Sequence, residues 1–521
     1  MRFDELNRIK QAPNSMQFTK IALLACAGFT LTAGAQQSAT NPVTMATGER
    51  QVRVITMDEC LKLALEKNLD IRIQRVSPEL DQLAIGIAKG AYDPSFRFSA
   101  VSSYSESPAS LVQGTTIGAP QSTVSASSFS ADIAGSLPTG LTYDLNGPLS
   151  DRTGTVITDP VHYNSSPGIT LKQPILKNFW IDGTRYQIQL AKNQLKGDQL
   201  NLLLQIQTTV NGVRTAYFNL LYSRENVKVT TAALKLAEQL LSENRKRVEV
   251  GALAPLDEKQ AESQAATSRA DLIAAEQGLN AQENTLKALI TDDFGTWATV
   301  TPVPAETLLA IAPELDLQES WRLALSKRPE YLHAQTVVER QNISVRYGKN
   351  QLYPEVDLTG SYGRSATDPT FNSNLNDLAN GTAPNYSAGI SLSIPLGNVV
   401  ARNNLKSYKA QVKQALLQLK KEEQTIVIQI DNDVKAIRAG YQRVGATREA
   451  SQYAKAALEA EQKKLENGKS TSFVVLQLQS NLTTARSAEI RALADYNIAL
   501  SQLALDEGTI LEKNKIEVAV K

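Results

Sequence analysis

The chain has 521 residues, enough for more than one ordinary domain, with 54 Lys plus Arg against 53 Asp plus Glu. So even a balance shows neither the basic excess of a nucleic-acid binder nor the acidic block of a solvating tail. Two histidines and two cysteines in the whole chain argue against a His/Cys metal centre or a histidine-based triad. No Gly-rich phosphate loop or G-x-S-x-G occurs, and the scattered carboxylates form no pair suited to acid/base work. The chain therefore reads as a non-enzyme with no cofactor.

At the N-terminus, Lys20 precedes an apolar run from Ile21 to Leu31, and Ala33-Gly34-Ala35 fits a small-residue cleavage site. Residues 1–35 are expected to be an export signal, with Gln36 as the new N-terminus. The run is too short to span a bilayer. Asp4 and Glu5 lie in the long leader, which makes Met16 an alternative start. Leu24-Ala25-Cys26 offers a competing lipoprotein reading, although it leaves only five apolar residues after Lys20. On either reading the protein leaves the cytoplasm. With Cys26 removed, Cys60 stands alone, no intrachain disulfide is possible, and Cys60 reads as a small core residue of a helix. No later segment has eighteen consecutive apolar residues, so any membrane-embedded part must be built from strands.

After a linker over 36–55, the chain is written twice. At a shift of 260 residues, Glu59, Leu63, Ala64, Leu65 and Lys67 meet Glu319, Leu323, Ala324, Leu325 and Lys327, and Pro94 meets Pro354. At a shift of 217, Arg185 meets Arg402, Val210 meets Val427, Gly251 meets Gly468, and Asn280 meets Asn497. Pro174 and Pro395 anchor the join between the registers. The first copy spans 56–295 and the second 316–510. A linker over 296–315 separates them, and 511–521 is a tail.

Each copy opens with a helix of about 35 residues (57–91, then 317–351). A strand with period-two alternation follows (about 95–104, with Phe96, Phe98 and Ala100; then about 355–363, with Val356, Leu358, Gly360 and Tyr362). A second strand returns after a Ser/Asn/Gly/Pro-rich loop. In the first copy it runs over about 166–175 (Ile169, Leu171, Ile175). In the second it runs over about 385–396, where Tyr386, Ala388, Ile390, Leu392, Ile394 and Leu396 alternate with serine and glycine. Long helices follow (185–250, 402–467), then a Gly-marked turn and a helix of nearly forty residues (254–290, 471–507). The long helices carry seams at heptad-like spacing: Ile206, Val210, Val213, Tyr217 and Leu220, then Val427, Ile430, Val434, Ile437, Tyr441 and Val444. The first copy alone has an insertion between about 105 and 165. It contains an extra hairpin over 128–146, expected to extend above the membrane or cap the mouth rather than join a barrel wall.

A helix of about 66 residues is roughly 100 Å long at ~1.5 Å per residue. Its hairpin partner covers little more than half, so the two shorter helices of a copy, stacked end to end, match the long one. Close helix approach is expected where alanines cluster, at Ala261, Ala265, Ala266, Ala270, Ala274 and Ala275. About four strands with one apolar face cannot close a barrel in lipid, where roughly eight is the minimum. Several chains must therefore share one barrel.

Two tandem copies of short helix, strand, strand, long helix and short helix resemble the TolC-type outer membrane efflux protein family over about 56–510. The local signatures are Gln173-Pro174-Ile175-Leu176 with Ile394-Pro395-Leu396-Gly397, and the turns Val248-Glu249-Val250-Gly251 with Leu465-Glu466-Asn467-Gly468. The resemblance implies a mixed α/β, mostly α membrane protein: a homotrimer with a 12-stranded β-barrel in the outer membrane, continued by a periplasmic α-helical barrel of twelve columns. By that resemblance it is the passive exit duct of a tripartite efflux pump or type I secretion system, partnered by a periplasmic adaptor and an inner-membrane transporter. The rival classes are a periplasmic adaptor and a coiled-coil scaffold without a pore.

The resemblance also places function at the periplasmic tips. Gly251, Ala252 and Leu253, with Gly468, Lys469 and Ser470, are the expected adaptor contact. Both glycines equally read as plain helix C-caps. Asp257 and Lys469 are the candidates for a latch holding a closed gate, although Asp257 also reads as a surface carboxylate near a helix start. Some family members carry two acidic residues six and nine positions after the second glycine. Here Val474 and Gln477 stand there, which implies an apolar, neutral constriction with weak cation selectivity. His162, placed in a loop, and His333, on a helix, read as surface or packing residues. Phe179-Trp180 reads as a lipid-interface anchor or as packing at the strand-to-helix junction.

Overall fold

The computed structural model describes residues 51–108, 122–155, 162–312, 314–381 and 383–517. The expected export signal, with Cys26, lies outside the described residues. In chain order, β1 (Gln51–Ile55) leads into α1 (Met57–Lys67) and α2 (Leu69–Lys89). Strands β2 (Ser95–Ser107), β3 (Ser122–Ser136), β4 (Thr142–Gly154), β5 (His162–Ser165) and β6 (Gly168–Pro174) follow. Next come α3 (Gly183–Glu249), α4 (Pro255–Ile290), α5 (Phe294–Trp297) and β7 (Val300–Pro304). The second copy comprises α6 (Leu317–Lys327), α7 (Pro329–Asn350), β8 (Glu355–Arg364), β9 (Ala366–Asp368), α8 (Phe371–Asn380), β10 (Pro384–Ser393), α9 (Val399–Glu466) and α10 (Ser472–Asp506). The short α11 (Ile510–Lys513) ends the run.

The opening helix of each copy is broken in two, for a readable reason. Asn68 turns its backbone out of the helix (ψ 126°) and its side chain accepts from the amides of Asp70 and Ile71, capping α2, while its Nδ2 donates to the carbonyl of Leu289. At the equivalent place Arg328 precedes Pro329, and a residue before proline is pushed out of the α region. Its guanidinium reaches Gln429 on α9 and Asp506 at the end of α10. Both breaks therefore clamp the short helices to the neighbouring columns.

The helical body follows from burial along the long helices. Ile206, Val210, Val213, Tyr217 and Leu220 form the core face of α3, where α1, α4 and the end of α10 meet it. On α9 the seam is Ile426, Ile430, Val434, Ile437 and Val444, packed with Tyr496, Leu503 and Ala324. The expected seam is corrected at two places. Ile426 replaces Val427, which is only partly buried, and Tyr441 is 40% exposed because Tyr496 of α10 fills that layer, its ring 5.9 Å from Tyr441. Ala261 and Ala265 are buried against α3, whereas Ala266, Ala270 and Ala274 face outward. Cys60 is fully buried and reduced.

Parallel strands β1 and β7, absent from the sequence expectation, tie the two linkers together across the waist. Tyr217 donates to the carbonyl of Ile55, and Arg224 donates to that of Pro302, so α3 holds both strands.

The main sheet runs β10-β8-β6-β4-β3-β2, all antiparallel, with β5 and β9 beside it. Two expectations are corrected here. First, the two strands of the first copy do not pair with each other, because β3 and β4 lie between them. Second, the inserted hairpin is longer than 128–146 and belongs to the sheet, making six strands on the path rather than four. Its outer half escapes notice because Ser125, Ser127 and Ser128 carry no apolar alternation. His162 lies in β5 rather than a loop, and helix α8 occupies part of the loop expected between β8 and β10.

A carboxyl pair sits at the waist of the second copy. Asp433 of α9 has a buried Oδ2 that accepts no hydrogen bond, and its pKa is pushed up to about 7 by burial first, then by Asp506. As an acid it can donate to Asp506; ionised, it cannot. A raised carboxyl pKa costs the folded state nothing below pH ~4, and the cost grows until the group is ionised above about 7. Asp433→Asn should therefore raise the thermal midpoint at pH 8 and change it little at pH 4, with the difference opening between those values. A gain confined to acid would contradict this.

Candidate channel elements: the sheet and the helical tips

Cross-strand register decides what the sheet can do. Phe96, Ile133, Leu145, Ile169, Tyr362 and Tyr386 are consecutive partners in one row across all six strands. Neighbouring rows on that face add Phe129 with Leu149, Tyr143 with Leu171, Leu358 with Ile390, and Val356 with Leu392. Within one chain this face stays uncovered: Phe96 is 69%, Tyr386 83% and Ile390 72% exposed. So broad an exposed apolar face requires an apolar surrounding. The opposite face carries Arg97, Asp132, Asn146, Thr170, Lys172, Asp357, Thr359, Ser361 and Ser387. There Lys172 bridges to Asp357 at 2.8 Å and the hydroxyls of Ser361 and Ser387 lie 2.7 Å apart. One face thus suits lipid and the other water. Among the described residues no helix is long and apolar enough to cross a membrane.

Sheet and helices join at a locked corner. Asn178, in the left-handed region (φ 66°), donates its amide to Asn350 Oδ1, and its own Oδ1 accepts from Gln351. Asp182 caps α3 by accepting from the amide of Arg185, whose guanidinium returns to Asp182 and to the Asn178 carbonyl. Phe179 and Trp180 pack edge-to-face at 5.1 Å beside this corner, and Trp180 is 79% exposed.

At the far end, both Gly turns are Schellman caps. Gly251 (φ 72°) donates to the Val248 carbonyl and Ala252 to that of Arg247. Gly468 (φ 70°) donates to Leu465 and Lys469 to Lys464. A side chain at either glycine would sit in the left-handed region at a cost of about 1–2 kcal/mol. Ala252 is exposed and Leu253 half-buried. Ser470 donates to Glu461 Oε1 at 2.6 Å. Asp257 Oδ2 accepts from the Ala254 amide, closing the first turn of α4. Among the described residues Asp257 and Lys469 form no ion pair with each other. Val474 and Gln477 are exposed neighbours on α10, and Gln477 donates to Asn481.

Sequence reasoning missed the residue that holds the tips together. Asn244 of α3 is fully buried, accepts from the Ser472 hydroxyl at 3.0 Å and donates to the Asp257 carbonyl. It ties α3, α4 and α10 into one unit above the cluster of Leu240, Leu458, Leu465, Val475, Leu476 and Leu482. A polar residue four positions after Leu240 in an otherwise charged stretch gives little signal for this. The exposed Val250, Leu256 and Phe473 form an apolar surround to the turns.

These features define an outer-membrane channel protein: a one-sided apolar sheet set on long helical columns that end in paired, capped turns. The outer membrane efflux protein model matches residues 60–291 and 321–507, so the chain belongs to that family. It is similar to the outer membrane protein TolC of Vibrio cholerae, 24% identical over 365 residues that cover 68% of this chain and 78% of the relative. It is also similar to the outer membrane efflux protein BepC of Brucella suis, 23% identical over 343 residues, 66% of this chain and 71% of that one. The CmeC outer membrane channel of Campylobacter jejuni shares the fold, with a TM-score of 0.64 at 16% identity, covering 87% of this chain and 86% of that one. The chain is an outer-membrane efflux channel with a periplasmic helical barrel, and the adaptor and pore-less scaffold readings give way. Family members are channel proteins rather than enzymes.

Asn244→Ala removes its hydrogen bonds to Ser472 and to the Asp257 carbonyl and leaves the Ser472 hydroxyl buried without its partner, at a cost of about 1–3 kcal/mol. Hydrogen exchange at amides 252–258 and 472–476 should quicken roughly tenfold or more, while the waist stays protected. Unchanged tip exchange would refute the role given to Asn244.

Proposed function

We propose that three copies assemble into one duct that carries substrates passively from a periplasmic adaptor and an inner-membrane transporter to the outside. The adaptor docks on the tip turns at Gly251, Ala252, Leu253, Gly468, Lys469 and Ser470, against the exposed Val250, Leu256 and Phe473. The observation that carries the reading is the six-residue apolar row crossing the whole sheet, above helices whose ends converge on those turns. A sheet with one lipid face and two unpaired edges needs further copies to close.

The gate lies at the same tips. Asp257 and Lys469 meet in the closed ring, and Val474 and Gln477 line a constriction that has no fixed charge. Two consequences are measurable in planar lipid bilayers. Lys469→Ala should raise single-channel conductance; unchanged conductance would sink the latch. The native channel should show weak cation preference and weak block by multivalent cations. Val474→Asp with Gln477→Asp should move the reversal potential toward that of cations, and a strongly cation-selective native channel would contradict the neutral constriction. Folded protein that never opens discrete channels would overturn the duct itself.

A further inference from the structure

The β3–β4 hairpin is the feature of this sheet that has no counterpart in the second copy of the repeat. Three observations bear on what it does. It is central: β3 pairs with β2 over Ser95–Ser107 and with β4 over Thr142–Gly154, so removing it would part β2 from β6. It is long: β2, β3 and β4 have 13, 15 and 13 residues, each above the roughly 9–11 that a tilted strand needs to cross a bilayer. The neighbouring strands are effectively as long. Arg152 opposite His162 and Thr142 opposite Lys172 lie in one register, so β5 and β6 form a single interrupted strand against β4. Tyr163 opposite Asp368 and Gly168 opposite Gly363 show the same continuity for β8 and β9. Lastly, the hairpin obeys the same inside–outside rule as the rest. Phe129, Ile133, Leu145 and Leu149 stand on the apolar face in line with Phe96 and Tyr362, while Asp132, Asn146 and Ser130 stand on the polar face with Arg97. A cap above the membrane would have no reason to keep that phase in register with strands in lipid.

We propose that the β3–β4 hairpin is part of the membrane wall, so that each chain contributes six spanning strands and a ring of three copies closes on eighteen rather than twelve. Closure is edge to edge. Among the described residues the outer edges of β2 and β10 have no partner, and both strands are almost wholly exposed. In hydrocarbon every backbone donor and acceptor on them must be paired, and the occupant that fits is the opposite edge of a second copy. Barrel diameter grows roughly linearly with strand number, so the wall is about one and a half times as wide as a twelve-stranded one. The membrane section is then wider than the tips demand, and the tips remain the narrow point of the duct.

This inference rests on the membrane reading above, and the test separates the two. Single cysteines are placed in a Cys60→Ala background at Ile133 and Leu145 on the apolar face, and at Asp132 and Asn146 on the polar face. Phe129 and Ser130 serve as a second pair should any of these fail to fold. Ile390 and Ser391 on β10 are controls for the membrane reading. Each is labelled with an environment-sensitive fluorophore and reconstituted in lipid vesicles. The expected result is quenching by spin-labelled lipid at 129, 133, 145 and 390, and by aqueous iodide at 130, 132, 146 and 391. If the β10 controls alternate while every hairpin label is quenched only from water, the hairpin lies outside the wall and the inference fails. If the controls themselves do not alternate, the membrane reading fails and takes the inference with it. Imaging of the assembled ring should count eighteen strands, and a count of twelve would overturn it independently.

Discussion

A β-sheet whose two outer strands carry unpaired N–H and C=O groups cannot rest in hydrocarbon, and a sheet with one broad apolar face cannot rest in water. Both statements apply to the sheet of this protein, and the rest of the architecture follows from resolving them. The apolar row from Phe96 to Tyr386 turns outward to lipid, and the free edges of β2 and β10 turn to neighbouring copies. The polar face with Arg97, Lys172, Asp357 and Ser361 is left around an aqueous lumen. Helices of 67 and 68 residues then extend the wall of that lumen for roughly 100 Å at ~1.5 Å per residue.

Columns of that length need bracing at more than one height, and the structure supplies it at three. At the top, Asn178, Asn350 and Asp182 fix the exit of the strands into α3. At the waist, Asn68 and Arg328 break the short helices and clamp them to their neighbours, and the β1–β7 pair ties the linkers to α3. At the bottom, Asn244 ties the turns together. The braces are polar side chains bonding backbone atoms or one another, and the stretches between them are apolar seams. At the bottom the bracing also includes the leucine-rich cluster around Leu240 and Leu465 and the ion pairs of Arg245 with Glu258 and Glu262.

Much of this is legible in the sequence where one period dominates. The long helices begin and end within a few residues of where the heptad spacing and the glycines place them, because a stripe repeated over many turns averages out local exceptions. Strand β10 is equally clear over 384–393, where serine and glycine alternate with apolar residues, although it stops at Ser393, short of the expected Ile394 and Leu396. The failures are local. Asn68 and Arg328 interrupt helices whose apolar pattern runs on past them, so periodicity cannot mark the break. Strands β1 and β7 are five residues each and become strands only by pairing with each other. The outer half of β3 is rich in serine and that of β4 in polar residues, so their membership of the sheet is set by partners rather than by their own alternation. Helix α8, with its four asparagines, has little helix propensity and is held through Asn374, which bonds Ser165 and the Tyr163 carbonyl. At the tips, Asp257 caps its own helix, a role its position near a helix start already suggested. Asn244 is invisible because a single buried amide leaves no pattern.

The most direct test of the account is single-particle imaging of the purified chain in lipid nanodiscs. The account predicts a closed ring of copies, its β-sheets continuous around a barrel inside the disc, with one helical tube projecting from one side only. Single chains, or rings whose sheets stand clear of the lipid with the apolar face covered by other protein, would contradict it.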